Sequence, residues 1–297
     1  MARSVVVRVP ATSANLGPGF DCLGLALDLW GSVHLEAHDQ PVPPPKEPIA
    51  LLAVEAALRL FHHLGTRPPG GIYACYEGSV PVARGLGASA IARVGGLLAA
   101  NALAGYPLDK EDILLLATEM EGHADNAAPA IFGGLQIVAR RDDGSIVHMG
   151  LEPPPGLRVV LFVPQQELPT ALARQAVPES IPRADAVYSL ARAALLVAAL
   201  ATGRLEHLAE ASDDRLHQPY RARLFPPLRP LLEAAMKAGA LGAYLSGAGP
   251  TVAAFAMEEA ERVAQALEDT AARMGLAGQA ILTSPTTLGA HLDEESS

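Results

Sequence analysis

The chain has 297 residues, half of them hydrophobic, and a formal net charge of −10. Its length is long for one core and predicts two domains. The acidic balance, with lysine only at Lys46, Lys110 and Lys237, argues against a nucleic-acid surface and leaves arginine, helix N-termini or metal to hold any anionic ligand. No uninterrupted apolar run reaches the 18 or so residues of a membrane span. The first ten residues read as a strand ending in proline and not as a signal peptide. Cys22 and Cys75 are the only cysteines, which argues against a disulfide framework or a thiolate zinc site and favours a reducing cytoplasm.

In chain order, residues 4–9 and 32–37 read as strands flanking a stretch, 10–24, too rich in turn formers to be regular. A proline-rich loop at 41–48 leads into an amphipathic helix at 50–64 and a strand at 72–77. Helices follow at 88–103, weakened in the middle by Gly95 and Gly96, and at 110–121. A strand at 133–140 runs into a hairpin turn at 142–145. Pro153-Pro-Pro-Gly156 then breaks the pattern, which predicts domains at 1–152 and 153–297. The second half opens with a strand at 157–163. A long helix at 184–201 follows, its apolar face interrupted by Arg192. Helices are expected at 204–215, 226–238 and 258–274, and residues 241–256 read as two short strands around a glycine loop. The acidic tail from Asp293 onward is expected to fray.

The stretch 81–90, Pro-Val-Ala-Arg-Gly-Leu-Gly-Ala-Ser-Ala, is the most informative. Gly85 and Gly87 let the backbone fold tightly and approach a ligand, and the following helix aims free N–H groups and its positive end at the same place. Alone, this fits either a phosphate cradle or a tight turn before a helix. A dinucleotide fingerprint fits poorly, because Gly78, Ser79 and Pro81 separate the strand from Gly85. A Walker loop is excluded, since Gly-Lys-Ser/Thr does not occur.

Three glycine-bearing loops, 10–24, 81–90 and 246–251, follow the order and spacing of the signature motifs of the GHMP kinase superfamily, which the chain resembles over essentially its whole length. Within that group, Pro10-Ala-Thr-Ser-Ala-Asn-Leu-Gly-Pro-Gly-Phe-Asp21, Glu121-Gly-His-Ala-Asp-Asn126 and His217-Gln-Pro-Tyr-Arg221 resemble the homoserine kinase family. The resemblance implies an α+β fold. An N-terminal ATP-binding domain like the second domain of ribosomal protein S5 would join a ferredoxin-like C-terminal domain, with the active site between them. It implies transfer of the γ-phosphoryl group of ATP, with Mg²⁺, to the hydroxyl of L-homoserine on the route to threonine. It further implies a cytoplasmic homodimer without nucleic-acid or membrane partners.

The resemblance also distributes roles. Pro81, Val82, Ala83, Arg84, Gly85, Leu86, Gly87, Ala88, Ser89 and Ala90, with Gly247 and Gly249, fall to ATP. Ser89 and Glu119 are expected to hold Mg²⁺, with Glu121 the alternative to Glu119. Arg174 and Arg221 suit the substrate carboxylate and Asp21 its ammonium, with Asn15, His123 and Asp125 at the acceptor end. Asn126 is expected to orient the acceptor hydroxyl without acting as a base, since an amide cannot take a proton. Arg174, Ser89 and Glu119 join Asn126 in the expected catalytic set.

Ala88 and Ala248 stand where the family commonly has serine, and the helix at 50–64 lacks the asparagine that commonly precedes it, so the adenine pocket stays unassigned. The rival readings are another GHMP kinase, acting on mevalonate, a sugar or shikimate, and a non-catalytic binding module.

Overall fold

The computed structural model describes residues 3–293. Alternating apolar residues build its first two strands, β1 (Arg3–Ala14) and β2 (Leu23–His38), which pair antiparallel and bury Val7, Val9, Val33 and Leu35 completely. β1 continues beyond the expected end at residue 9. The register shifts between Pro10 and Ala11, so a bulge absorbs the N–H that proline lacks, and only the turn at 15–22 is irregular.

The first half continues with α1 (Pro48–His63), β3 (Gly71–Gly78), α2 (Ala88–Leu103), α3 (Lys110–Glu121), α4 (Ala127–Phe132), β4 (Leu135–Arg140) and β5 (Ile146–Leu151). The second half holds β6 (Arg158–Pro164), α5 (Thr170–Gln175), α6 (Arg183–Thr202), α7 (Leu208–Ala211), α8 (Gln218–Arg221), α9 (Leu228–Lys237), β7 (Gly242–Leu245), β8 (Val252–Ala256), α10 (Ala260–Arg273), β9 (Gly278–Thr283) and β10 (His291–Leu292).

One sheet runs β10-β1-β2-β4-β5, with β3 also on β2; the other is antiparallel, in the order β7-β8-β6-β9. Helices between β6 and β7 and between β8 and β9 make the second sheet a βαββαβ, ferredoxin-like unit. The sheets part between Leu151 and Arg158, but residues 284–293 cross back to the first sheet, where Thr286 N–H donates to Ala26 O and Asp293 N–H to Val6 O. Asp293 is therefore tied down, and the rest of the tail lies outside the described residues.

Two differences have clear causes. The helix expected at 204–215 breaks after α7, because the Asp214 carboxylate accepts the N–H groups of Leu216, His217 and Gln218 and competes with helix continuation. Helix α6 has the length and mean hydropathy (1.5) of a membrane span, alone among the described residues, although only 22% of that stretch is buried and Tyr188, Ser189 and Arg192 interrupt it. It packs through Leu196, Ala199 and Leu200 and leaves Val187 and Leu190 exposed.

Gly95 and Gly96 weaken α2 as an isolated helix but let it pack. A Cβ on Gly96 would lie 2.3 Å from the Ala53 carbonyl oxygen of α1, so the two backbones touch there. Gly96→Ala would gain about 1 kcal/mol in helix propensity and cost about 1–3 kcal/mol in overpacking. The expected net result is a lower urea midpoint than the parent in equilibrium unfolding.

Candidate active site

The glycine-rich loop enters α2 through Gly87, which caps the helix at φ 72° with no side-chain cap. The first N–H groups of α2 have no acceptor within the helix and stay available to an anion. A Cβ on Gly87 would lie 2.0 Å from Thr12 Oγ1, and one on Gly85, at φ 76°, would lie 2.2 Å from Ser246 O. Both positions demand glycine for left-handed backbone and for closeness. The loop thereby meets the other two: Thr12 N–H donates to Leu86 O (3.2 Å), and Ser246 Oγ donates to Gly85 O (2.6 Å).

At the second residue of α2, Ser89 Oγ donates to Glu121 Oε1 (2.5 Å), which Arg93 Nη1 also contacts. Glu119, the expected metal ligand, is elsewhere: it is half-exposed and paired with Arg59 of α1 at 2.6 Å. Two residues along a helix are about 200° apart, so Glu119 and Glu121 cannot both face Ser89. The structure places Glu121 there.

α3 ends at Gly122, at φ 87°, and the turn beyond it delivers His123, Asp125 and Asn126. His123 Nδ1 contacts Asp125 Oδ1. Burial opposes the imidazolium, but the bond and charge of Asp125 outweigh it and hold His123 above its ordinary value. Asn126 Oδ1 accepts from Thr12 Oγ1 (2.7 Å) and its Nδ2 donates to Asp125 Oδ1 (3.3 Å). From α5, Arg174 donates to both oxygens of Asp21 at 3.0 and 2.7 Å. Buried Asn15 lies beside them with its amide in use: Nδ2 donates to Gly247 O and Oδ1 accepts from Asp21 N–H.

These groups line one solvent-open cleft of about 320 Å³, at the small end of the range for small-molecule sites. It brings together Asn15, Asp21, Val82, Ala83, Arg84, Gly85, Gly87, Ala88, Ser89, His123, Asp125, Asn126, Arg174, Arg221 and Gly247. Pro81, Leu86, Ala90, Glu119 and Gly249 are not in its lining, and Leu86 and Ala90 belong to the buried interior. Arg84 turns its guanidinium to the carbonyls of Val82, Pro164 and Gln165, tethering the loop to the end of β6. Sequence reasoning missed Pro48, Ile49 and Leu52, which give the cleft an apolar wall at the start of α1. The proline-rich run before that helix was the available signal.

The N-terminal half matches the family described as GHMP kinases N terminal domain over residues 51–134, and GHMP kinases C terminal matches 196–273. A homoserine kinase of Moorella thermoacetica is 43% identical over 282 residues, 91% of this chain and 94% of that one. The chain belongs to the homoserine kinase family of GHMP kinases. A homoserine kinase of Thermus thermophilus is 46% identical over 260 residues, 84% of this chain and 85% of that protein. The crystal structure of homoserine kinase from Cytophaga hutchinsonii superposes with a TM-score of 0.88 at 29% identity, covering 98% of this chain and 97% of that one. The GHMP kinase fold expected from the three loops is thus the fold observed.

At the Asp21 end of the cleft, this family member buries a whole guanidinium. Arg221 Nε donates to Ala173 O, and its Nη1 donates to Gly247 O (2.8 Å) and His217 Nδ1 (3.2 Å). Burial, then the nearby Arg174, pull its pKa down to about 10. His217 Nε2–H donates to Gly17 O (2.6 Å), so both ring nitrogens are engaged in the neutral form. Burial holds its pKa down to about 4. The unfolded value is about 6.5, so on acidification the unfolded chain takes up this proton first. The stability this group contributes above about pH 6.5 is lost as pH falls toward 4. Urea midpoints should therefore drop across that window, and His217→Gln should flatten the dependence there.

Proposed function

We propose that this chain transfers the γ-phosphoryl group of ATP to the hydroxyl of L-homoserine, giving O-phospho-L-homoserine for threonine synthesis. The observation that carries the proposal is the pairing of charges in one cleft. An uncapped helix N-terminus suited to phosphate lies beside a clamp of both signs, Asp21 against Arg174 with Arg221 next to them. A zwitterionic amino acid supplies both partners in reverse. Its carboxylate replaces Asp21 on Arg174 and faces Arg221, while its ammonium takes Asp21, with Asp125 close by. Asp21 and Arg174 are about one-third exposed, so their mutual pairing costs little to exchange.

Ser89 Oγ and Glu121 are adjacent oxygen donors, a set that fits Mg²⁺. The ion, when bound, neutralises charge on the β- and γ-phosphates. The chain's own work is positioning. The amides of Gly85 to Ser89 receive the phosphates, and the wall formed by Pro48, Ile49 and Leu52 supports the adenine end. Asn126, held by Thr12, orients the acceptor hydroxyl, whose proton leaves to phosphate or water. Asn15 fixes the loop that presents Asp21.

The homodimer, supported by the exposed apolar face of α6, belongs to the same proposal and is read by sedimentation. So does placement in the cytoplasm, supported by the free thiols of Cys22 and Cys75.

A coupled ADP-release assay with Mg-ATP should give turnover on L-homoserine and none on mevalonate, galactose or shikimate. Turnover on another acceptor, or on none, would overturn the substrate reading. Arg221→Ala should lower kcat/KM for homoserine by roughly 30-fold or more, since it removes a buried charged partner worth about 2–5 kcal/mol. The KM for ATP should stay close to the parent's. Asn126→Asp should lower kcat rather than raise it, because a carboxylate there would face Asp125 where an N–H now donates; a marked gain in kcat would reinstate a base at this position.

A further inference from the structure

Arg93 lies one turn beyond Ser89 on the same face of α2. Its Nη1 contacts Glu121 Oε1 and lies 3.4 Å from Ser89 Oγ, so it sits on both oxygen donors assigned above to the metal. The pair is well desolvated: the Arg93 and Glu121 side chains are 18% and 11% exposed, against 37% and 41% for Arg59 and Glu119. Arg93 Nε is buried and has no hydrogen-bond partner among the described residues. A guanidinium with a buried unpaired N–H is incompletely satisfied, so this pose is open to exchange.

We propose that Arg93 is a tethered cation that holds the metal's place on Glu121 until nucleotide and metal arrive together. The inference rests on the reading that Ser89 and Glu121 hold Mg²⁺. Two opposite effects of Arg93 on that site must be weighed. Orienting the carboxylate favours metal binding by no more than a modest hydrogen-bond contribution. Repulsion between a single and a double positive charge a few ångströms apart, beside side chains only 18% and 11% exposed, is several times larger. Repulsion wins, and the empty cleft binds free divalent cations weakly. A triphosphate reverses the balance, because its negative charge offers Arg93 a second partner and brings the metal with it. The chain is thereby set to take up the metal–nucleotide complex and to leave free metal in solution.

The test uses Mn²⁺ as the probe, titrated by electron paramagnetic resonance into the full chain without nucleotide and again with ADP. Arg93→Met removes the charge, and Arg93→Gln removes it while keeping a polar group toward Glu121, which covers the case in which the first variant does not fold. Both should bind Mn²⁺ about tenfold or more tighter than the parent without nucleotide. That advantage should shrink to roughly threefold or less with ADP. Parent-like or weaker Mn²⁺ affinity in the charge-free variants overturns the proposal and makes Arg93 a positioning residue for Glu121. Adding Glu121→Gln to Arg93→Met should abolish the gain. If tight Mn²⁺ binding survives that change, the ion sits elsewhere and the Ser89–Glu121 reading itself fails.

Discussion

The carbonyl of Gly247 is where the cleft is tied together. It accepts from Asn15 Nδ2 at 2.9 Å and from Arg221 Nη1 at 2.8 Å, while Gly247 N–H donates to Ala14 O. One residue thus joins the first loop, the third loop and α8. Beside it, Ser246 bridges Ser13 Oγ and the Gly85 carbonyl, which brings in the glycine-rich loop. These bonds are buried, where an unmade bond costs more than a made one contributes. The three loops therefore hold one geometry relative to each other or lose all of it.

The same seam explains why a charged arginine is tolerated inside. Arg221 donates through Nε and Nη1 to two carbonyls and a neutral imidazole, but its charge is not neutralised by a direct carboxylate contact. The group stays charged, is rigidly aimed, and gains most from an anion entering the cleft. Asp214 underwrites this indirectly: its carboxylate gathers three backbone N–H groups and Ser189 Oγ, and so sets the start of the helix that carries Arg221.

Much of this was legible in the sequence. Helices α2 and α3 begin and end where the residues say, because left-handed Gly87, the Asp109–Asp112 capping box and left-handed Gly122 are strong local signals. The cleft residues contributed by loops were legible through the resemblance of their motifs to those of the GHMP kinases; by local signals alone several of them read as turn or capping residues. What was not legible depends on which way an element faces. Glu119 and Glu121 are the same residue type on the same helix, and only packing against α1 and α2 decides that one meets Arg59 and the other Ser89. Arg84 sits in the glycine-rich loop but spends its donors on the end of β6, a contact between distant segments. The short helices α5 and α8 carry too few turns to show periodicity, although each delivers a cleft arginine.

The return of residues 284–293 to the first sheet has a consequence for how the molecule is made. β10 pairs with β1 through Val7 with Leu292 and Arg8 with His291, and Ala290 N–H donates to Ala130 O on the way. The edge of the N-terminal sheet is therefore completed by residues synthesised after the whole of the second sheet. During translation the second, ferredoxin-like sheet, whose strands all lie between residues 158 and 283, can close before the first one is finished. Such long-range pairing is slow to form. Until the chain is made through residue 292, β1 presents an open edge, and the half of the molecule that carries the glycine-rich loop is the half that waits.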